Sequence, residues 1–167
     1  SKKNILLINF DPIKYKIFFN ELKHQNINPI LYNPRKPAIT NLKSFNIVKN
    51  SNSKIFNHLD ISKEDIKKIE IEQDKIKNLL TNHFENIEYF TNLFDSLSFE
   101  FWNSIKPSLK QICIQKFNES IRNIFVLTNF FNTYNISLIL QWAEVGQEEK
   151  ECMYVGKNHK IKSFMLQ

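Results

Sequence analysis

A carboxylate and an indole ring lie close together near the end of the chain. Glu144 follows the apolar run Ile136–Trp142, and a short apolar run of this kind is typical of a buried strand. At the carboxyl end of a strand, Glu144 could accept hydrogen bonds from sugar hydroxyls or act as a general base, with Trp142 as a stacking platform. Alternatively, Glu144 is a first-turn acid that the dipole of the following helix favours. Three further glutamates resemble surface charge of that second kind: Glu148, Glu149 and Glu151.

Asp11 is the second candidate acid. It follows the apolar run Asn4–Phe10 and precedes Pro12. A catalytic acid at the end of a strand would occupy this position. An aspartate that caps a helix beginning at Pro12 would occupy it too, and the cap is the commoner role of the two.

The standard motifs for cofactors and metals are absent from the sequence. Both glycines, Gly146 and Gly156, fall in the last 22 residues, so the first apolar run has no glycine-rich turn after it. A dinucleotide fingerprint or a P-loop requires such a turn. The four histidines do not stand at metal-ligand spacing, and neither a Gly-x-Ser-x-Gly nor a His-Glu-x-x-His motif occurs. Cys113 and Cys152 are too far apart in sequence for a zinc ribbon. We therefore expect no cofactor and no metal.

Composition sets the expected class of protein. A chain of 167 residues that is 42% hydrophobic can bury one substantial core, so we expect a single domain over residues 1–167. The formal charge is +6, but the lysines are spread along the chain and only two arginines occur, Arg35 and Arg122. This distribution argues against nucleic-acid binding. The first apolar run is too short for a signal peptide or a transmembrane segment, so we expect a cytoplasmic chain, either free or peripheral at the inner membrane surface.

The first third of the chain has the pattern of alternating strands and helices. Asn4–Phe10 predicts a buried strand, and apolar residues at helical spacing predict a helix from Pro12 to His24. Ile13, Ile17, Phe18 and Leu22 form the apolar stripe of that helix. Pro29–Tyr32 predicts a second strand, the two prolines in Asn33–Pro37 exclude regular structure, and Asn46–Asn50 is a candidate third strand.

Two long helices are expected in the middle of the chain. Ser62 and Asp65 have the spacing of a capping box at the start of the first helix. Its apolar stripe comprises Ile66, Ile69, Ile76, Leu80, Phe84 and Ile87. The second helix runs from about Ser98 to Tyr134 and contains Pro107 near its start. We expect the two helices to pair as a hairpin over the sheet.

The last 32 residues predict a strand, a helix and a second strand. The helix covers Gly146–Lys160, and the second strand covers Lys162–Gln167. Because parallel strands joined by a helix bind ligands at their carboxyl ends, a site is expected near residues 142–144. The predicted fold is therefore α/β: a Rossmann-like three-layer domain with a mostly parallel sheet and two long helices in the middle of the chain.

This C-terminal pattern resembles the end of the N-terminal Rossmann-like domain of GT-B-fold glycosyltransferases. It looks most like surface-carbohydrate biosynthesis proteins of bacteria and archaea and their CDP-glycerol glycerophosphotransferase relatives. The resemblance implies the acceptor-side half of a two-domain enzyme of surface polysaccharide assembly, inactive alone, with a carbohydrate or lipid-linked acceptor. The nucleotide-sugar would be bound through a C-terminal domain beyond Gln167, where the family commonly has a His-Gly pair. It also implies that Glu144 and Gln147 are cleft residues.

Two other classes of function stay open. Ile5–Ile8 followed by Asp11 and Pro12 is compatible with a stand-alone flavodoxin-like or receiver-like signalling or interaction module. A receiver needs a cluster of acids after the first strand, and this chain has only Asp11 there. A basic interaction domain for nucleic acid or acidic membranes would require the lysines to gather on one face.

Overall fold

The computed structural model describes residues 3–56, 61–86, 99–142 and 146–166, which form an α/β fold. In chain order its elements are β1 (Lys3–Ile8), α1 (Lys16–His24), β2 (Ile27–Tyr32), α2 (Leu42–Asn50), β3 (Lys54–Ile55), α3 (Lys63–Glu85), α4 (Phe99–Thr133), β4 (Ile136–Gln141), α5 (Gln147–Asn158) and β5 (Lys162–Met165). These residues fall into two compact units. The first comprises residues 1–60 and 126–167, and the second comprises residues 61–125. The single domain expected over residues 1–167 stays a prediction.

The first unit contains a sheet whose strand order is β3-β2-β1-β4-β5, with every neighbouring pair parallel. The α/β class and the parallel sheet are therefore confirmed, including the parallel pairing of β4 with β5. The chain adds strands outward from β1 to β3 and then returns to the other side of β1 for β4. This reversal is the point at which open α/β sheets form a ligand crevice, at the carboxyl ends of the strands.

Helices cover both faces of the sheet. Because side chains alternate along a strand, Ile5 and Leu7 of β1 point to one face, where they share a buried cluster with Phe19 of α1 and Ile47 of α2. On the other face Ile139 of β4 lies against α5, together with Phe131 from the end of α4. The expected three-layer architecture is confirmed.

Two local predictions differ from the structure. The residues from Pro12 to Tyr15 form a turn before α1, closed by a 3.0 Å hydrogen bond from the Tyr15 N–H to the Asp11 carbonyl. Ile17, expected on the apolar stripe, is 79% exposed. The candidate strand Asn46–Asn50 is wrong, because these residues are the second half of α2.

A capping box explains why α2 forms. Asn41 Oδ1 accepts a hydrogen bond from the Ser44 N–H at 2.9 Å, and Ser44 Oγ accepts one from the Asn41 N–H at 3.0 Å. These bonds satisfy amide groups that a helix start otherwise leaves unpaired. The helix then buries Ile47 and Val48 together on one face.

Asn41→Ala is expected to lower the free energy of unfolding by about 1 kcal/mol, because alanine removes the side-chain cap. Urea denaturation followed by circular dichroism measures the change. Lys43→Ala, at an exposed position two residues later, is the control and should have almost no effect. Equal losses in the two variants would show that the cap does not stabilise α2.

The second unit contains α3 and most of α4, packed as an antiparallel hairpin. Ser62 caps α3 by accepting a hydrogen bond from the Asp65 N–H, as predicted. Three contacts show the antiparallel arrangement, because residues late in α3 meet residues early in α4. Gln73 donates to the Asn118 carbonyl, Phe84 stacks on Trp102, and Glu85 pairs with Lys106 and Lys110. The Lys106 ammonium holds the pKa of Glu85 below its usual value. The predicted pairing of the two long helices is thus confirmed within this unit, while Ile87 lies outside the described residues.

Within the ranges that the structure describes, no helix has both the length and the apolar character required to cross a bilayer.

Candidate functional site

A cavity of about 290 Å³ lies at the carboxyl ends of β1, β2 and β4, beside the first turn of α5. Six of its lining residues carry the polar and aromatic groups used below: Asn9, Asp11, Asn33, Arg35, Trp142 and Glu149. The cavity is therefore at the reversal point of the sheet, where the fold predicts a ligand site.

Glu149 is the central polar group of this cavity. It is in the first turn of α5 and is only 3% exposed. Its Oε1 accepts a 2.6 Å hydrogen bond from Asn9 Nδ2, and its Oε2 accepts a 2.9 Å hydrogen bond from the Arg35 guanidinium. The N-terminal end of a helix dipole also favours a carboxylate at this position. Glu149 thus connects the end of β1, the loop after β2 and the start of α5.

The backbone around Glu149 brings these groups close together. Asn9 has φ 57, a left-handed conformation that asparagine adopts more readily than most residues, and its N–H still donates to the Tyr32 carbonyl at 2.9 Å. A Cβ at Gly146 would overlap both the Arg35 guanidinium and the Glu149 carboxylate. Glycine at this position therefore lets the guanidinium and the carboxylate approach the start of α5.

Asn33 and Trp142 contribute polar atoms that remain unpaired. The Asn33 amide donates to the Phe10 carbonyl at 2.9 Å, which fixes the side chain at the end of β2. Its Oδ1 is buried and has no hydrogen-bond partner among the described residues, and the same holds for Trp142 Nε1. Buried polar atoms usually have a partner. One acceptor and one donor are therefore unsatisfied on residues that line this cavity.

The ring of Trp142 is held by aromatic neighbours. It stacks on Tyr15 with ring centroids 4.7 Å apart and packs against Phe10 at 5.9 Å. The Lys14 ammonium lies 5.4 Å from the centre of the indole ring and 5.2 Å from that of Tyr15, within cation–π range. Because Tyr15 covers one face of the indole, a ligand must approach the remaining face or the edge.

The predicted site residues have different positions. Asp11 and Trp142 both line the cavity. Asp11 Oδ1 also accepts hydrogen bonds from the N–H groups of Ile13 and Lys14 at 2.8 and 3.3 Å. Asp11 thus stabilises the turn before α1, and the predicted helix cap is wrong, because α1 begins at Lys16 after Tyr15. Gln147 begins α5, where its amide donates to Glu151 at 2.9 Å. Glu144 lies outside the described residues.

Of the six cavity residues named above, four were not predicted as site residues: Asn9, Asn33, Arg35 and Glu149. The expectation that Glu149 and Glu151 are surface charge is wrong, since they are 3% and 7% exposed. A signal for Glu149 exists in the sequence. It precedes Cys152 by three residues and Gly156 by seven, a spacing that places all three on the buried face of α5.

Cys152 is buried on α5 and should be chemically inert in the folded chain. Burial, with a smaller contribution from the Glu149 carboxylate, raises the pKa of the Cys152 thiol to about 12. At pH 8, iodoacetamide is expected to alkylate the half-buried Cys113 first and Cys152 only after denaturation, because the thiolate is the reactive form. Mass spectrometry of digests measures both sites.

The raised pKa of Cys152 also predicts that the folded chain loses stability at alkaline pH. Because the folded pKa exceeds the unfolded value of about 8.5, the contribution of Cys152 to stability is full below about pH 8.5 and is lost as the pH rises toward 12. For the alkylation experiment, equal modification of Cys113 and Cys152 in the native chain at pH 8 would show that burial does not protect Cys152.

No cluster of three or more potential metal ligands occurs in the part of the chain that the structure describes. Comparison of the chain with protein-family models, with curated proteins and with solved structures found no match.

Proposed function

We propose that this chain is the acceptor-side domain of a glycosyltransferase that acts in surface polysaccharide biosynthesis. In this proposal the cavity at the end of β1 binds the carbohydrate part of a free or lipid-linked acceptor. A second, C-terminal domain binds the nucleotide-sugar, so the present chain alone is inactive. One observation supports the proposal above the others: Asn9, Asn33, Arg35 and Trp142 converge on the reversal point of a parallel sheet.

The chemistry of the lining suits a saccharide. Asn33 Oδ1 can accept from a sugar hydroxyl, and Trp142 Nε1 can donate to one. Pro12, Pro37 and Ala38 also line the cavity and offer apolar surface to the C–H groups of a sugar ring. A volume of about 290 Å³ is at the lower end of the range for small-molecule sites, which suits one or two sugar units.

Asp11 is the candidate general base of this proposal. Its Oδ1 binds the N–H groups of the turn before α1, whereas Oδ2 makes no hydrogen bond within the described ranges. Oδ2 can therefore accept a proton from an acceptor hydroxyl that binds in the cavity. Glu144 is the alternative base that the sequence suggests.

The strand order supports this proposal over a receiver-like module. Flavodoxin-like and receiver domains have the order 2-1-3-4-5, whereas this sheet has the order β3-β2-β1-β4-β5. The third strand of a receiver lies beside the first and carries the reactive aspartate. Here β3 has two residues and pairs with β2.

Nuclear magnetic resonance can test saccharide binding directly. The nitrogen-15-labelled chain would be titrated with methyl glucoside, methyl galactoside and N-acetylglucosamine to about 10 mM, where millimolar complexes are well populated. The Trp142 indole signal, assigned with Trp142→Phe, is expected to shift, while that of Trp102 in the second unit stays constant. Asn33→Ala should weaken binding about tenfold.

Asn46→Ala, the same change at an exposed position on α2, is the matched control and should bind as the wild type does. The proposal fails if none of the three saccharides moves the Trp142 signal. It also fails if cytidine or uridine monophosphate alone shifts that signal more strongly than any saccharide.

A second groove supports a peripheral position at an anionic membrane. It has a volume of about 770 Å³, lies between α5 and the edge strand β5, and no carboxylate lines it among the described residues. Tyr154 and Phe164, each 56% exposed, also line it. Four lysines line the groove: Lys150, Lys157, Lys160 and Lys162. The sequence suggested that the lysines were evenly spread, but here four of them gather beside aromatic rings, the composition of interfacial membrane sites.

Vesicle sedimentation tests this position. The chain is expected to bind vesicles of phosphatidylglycerol and phosphatidylcholine more tightly than vesicles of phosphatidylcholine alone, and less tightly at high salt. Lys157→Glu with Lys160→Glu should weaken binding at least about tenfold, because each lysine near an anionic surface contributes roughly 1 kcal/mol. Lys43→Glu with Lys49→Glu, on exposed positions of α2, is the control. Equal binding by both double variants would exclude this groove.

A further inference from the structure

We propose that the buried carboxylate of Glu149 supplies a fixed negative charge that excludes phosphate from the cavity and makes the cavity selective for an uncharged saccharide. The saccharide part of this inference rests on the proposed function. The exclusion of phosphate does not, because it follows from the contacts of Glu149 alone.

The carboxylate of Glu149 lies in the first turn of α5, beside the helix start at which a phosphate would bind. Helix starts at the carboxyl ends of parallel strands attract anions, because their N–H groups and their dipole point outward. In the first turn of α5 the two carboxylate oxygens of Glu149 already use the Asn9 amide and the Arg35 guanidinium, at 2.6 and 2.9 Å. A phosphate that used the remaining N–H groups of the half-exposed Arg35 would therefore lie directly beside the Glu149 carboxylate.

Space and charge both oppose displacement of the Glu149 carboxylate by a phosphate. Glu149 is 3% exposed, and moving its charge without its partners would leave a carboxylate buried and unpaired. Even a methyl group at Gly146 would overlap the Arg35 guanidinium and the Glu149 carboxylate. A phosphate next to Glu149 would also place two anions in contact where water screens them poorly.

The rest of the lining adds no net positive charge, because Lys36 is offset by Asp11. The N–H groups of Ile13 and Lys14, before α1, are already bound by Asp11 Oδ1. Counting Arg35 and Glu149 as well, the charged lining residues sum to zero net charge.

The unpaired atom of Asn33 points to the kind of ligand that fits instead. Asn33 Oδ1 is a buried acceptor without a partner among the described residues. It needs a hydrogen-bond donor, and a sugar ring offers several hydroxyl donors, whereas the oxygens of a phosphate group at neutral pH are mainly acceptors.

Glu149→Gln tests the inference because it removes the charge while it keeps the size and the hydrogen-bonding oxygen. The probe is inorganic phosphate, and the readouts are the signals of the Asn9 side-chain amide and the Trp142 indole. The wild type is expected to show no shift at about 10 mM phosphate. Glu149→Gln is expected to bind phosphate at least about tenfold more tightly than the wild type. Adding Arg35→Gln to that variant should abolish the gain.

One control variant and the wild-type titration keep the test decisive. Glu148→Gln removes the same charge from the neighbouring, half-buried position and should behave as the wild type does. The wild-type titration keeps the inference testable even if Glu149→Gln does not fold, because phosphate binding by the wild type at about 10 mM would contradict it.

The inference is overturned if the wild type binds phosphate as tightly as Glu149→Gln, or if the folded Glu149→Gln gains no more than Glu148→Gln. If Glu149→Gln does not fold, phosphate-induced shifts of the Asn9 and Trp142 signals in the wild type overturn it. Saccharide titration of the wild type tests the proposed function and not the exclusion of phosphate. Its failure would remove the proposed function, while a gain of phosphate binding in Glu149→Gln would still assign the exclusion to Glu149.

Discussion

Phe19→Ala is expected to lower the free energy of unfolding by about 3–5 kcal/mol, the usual cost of truncating a buried phenylalanine. Phe19 is fully buried and shares a cluster with Leu7 and Leu31 of the central strands. Alanine would leave a cavity between α1 and the sheet that the packed neighbours cannot fill. Since small domains are stable by only about 5–15 kcal/mol, this variant should lose a large share of its stability.

Ile17→Ala is the matched control for Phe19→Ala on the same helix. Ile17 is 79% exposed, so its truncation should change the free energy of unfolding by less than about 0.5 kcal/mol. Urea denaturation followed by circular dichroism compares the two variants. Similar losses would mean that α1 does not pack on the sheet through Phe19.

Gly156→Leu is expected to lower the free energy of unfolding by about 3 kcal/mol, the upper end of the usual cost of overpacking. Gly156 lies on the buried face of α5, where even a Cβ would overlap Ile139 Cδ1 on β4. Ile139 is itself fully buried, so its side chain has no open space into which it could move. A larger side chain at position 156 must therefore push α5 away from the sheet.

A double-mutant cycle tests whether this contact is the cause. Ile139→Val removes the Cδ1 atom that a Cβ at position 156 would meet. Gly156→Ala should therefore cost about 1 kcal/mol less in the Ile139→Val background than in the wild type. Thermal and urea denaturation of the four proteins give the coupling. Strict additivity would show that the helix and the strand do not meet at this point.

The sheet and its order of elements could be predicted where the sequence repeats a strong pattern. Ile5–Ile8 is a continuous apolar run, and the strand is buried on both faces. The C-terminal strand, helix and strand were predicted from two apolar runs with a polar segment between them, and β4 and β5 do pair in parallel.

Short apolar segments were less informative because they fit a helix as well as a strand. Ile47 and Val48 were assigned to a strand, yet the capping box at Asn41 and Ser44 starts a helix that buries both. Ile17 matched the helical spacing of α1, but the turn before Lys16 changes which residues face the sheet.

The candidate site could be predicted only in part, because it depends on contacts between distant segments. Asp11 directly follows an apolar run and Trp142 ends one, so their place at the end of a strand was visible. Arg35 and Glu149 are 114 residues apart, and no local pattern links them. A run of glutamates indicates a polar segment but does not reveal which member is turned inward.

The central position of β1 has a consequence for how the chain folds during its synthesis. The Asn4 side chain donates to the Asn135 carbonyl, a partner 131 residues further along the chain. At a ribosomal rate of about 5–20 residues per second, one edge of β1 stays open for several seconds until β4 has been made. The nascent chain should therefore depend on a chaperone or on fast late docking to avoid edge-to-edge aggregation.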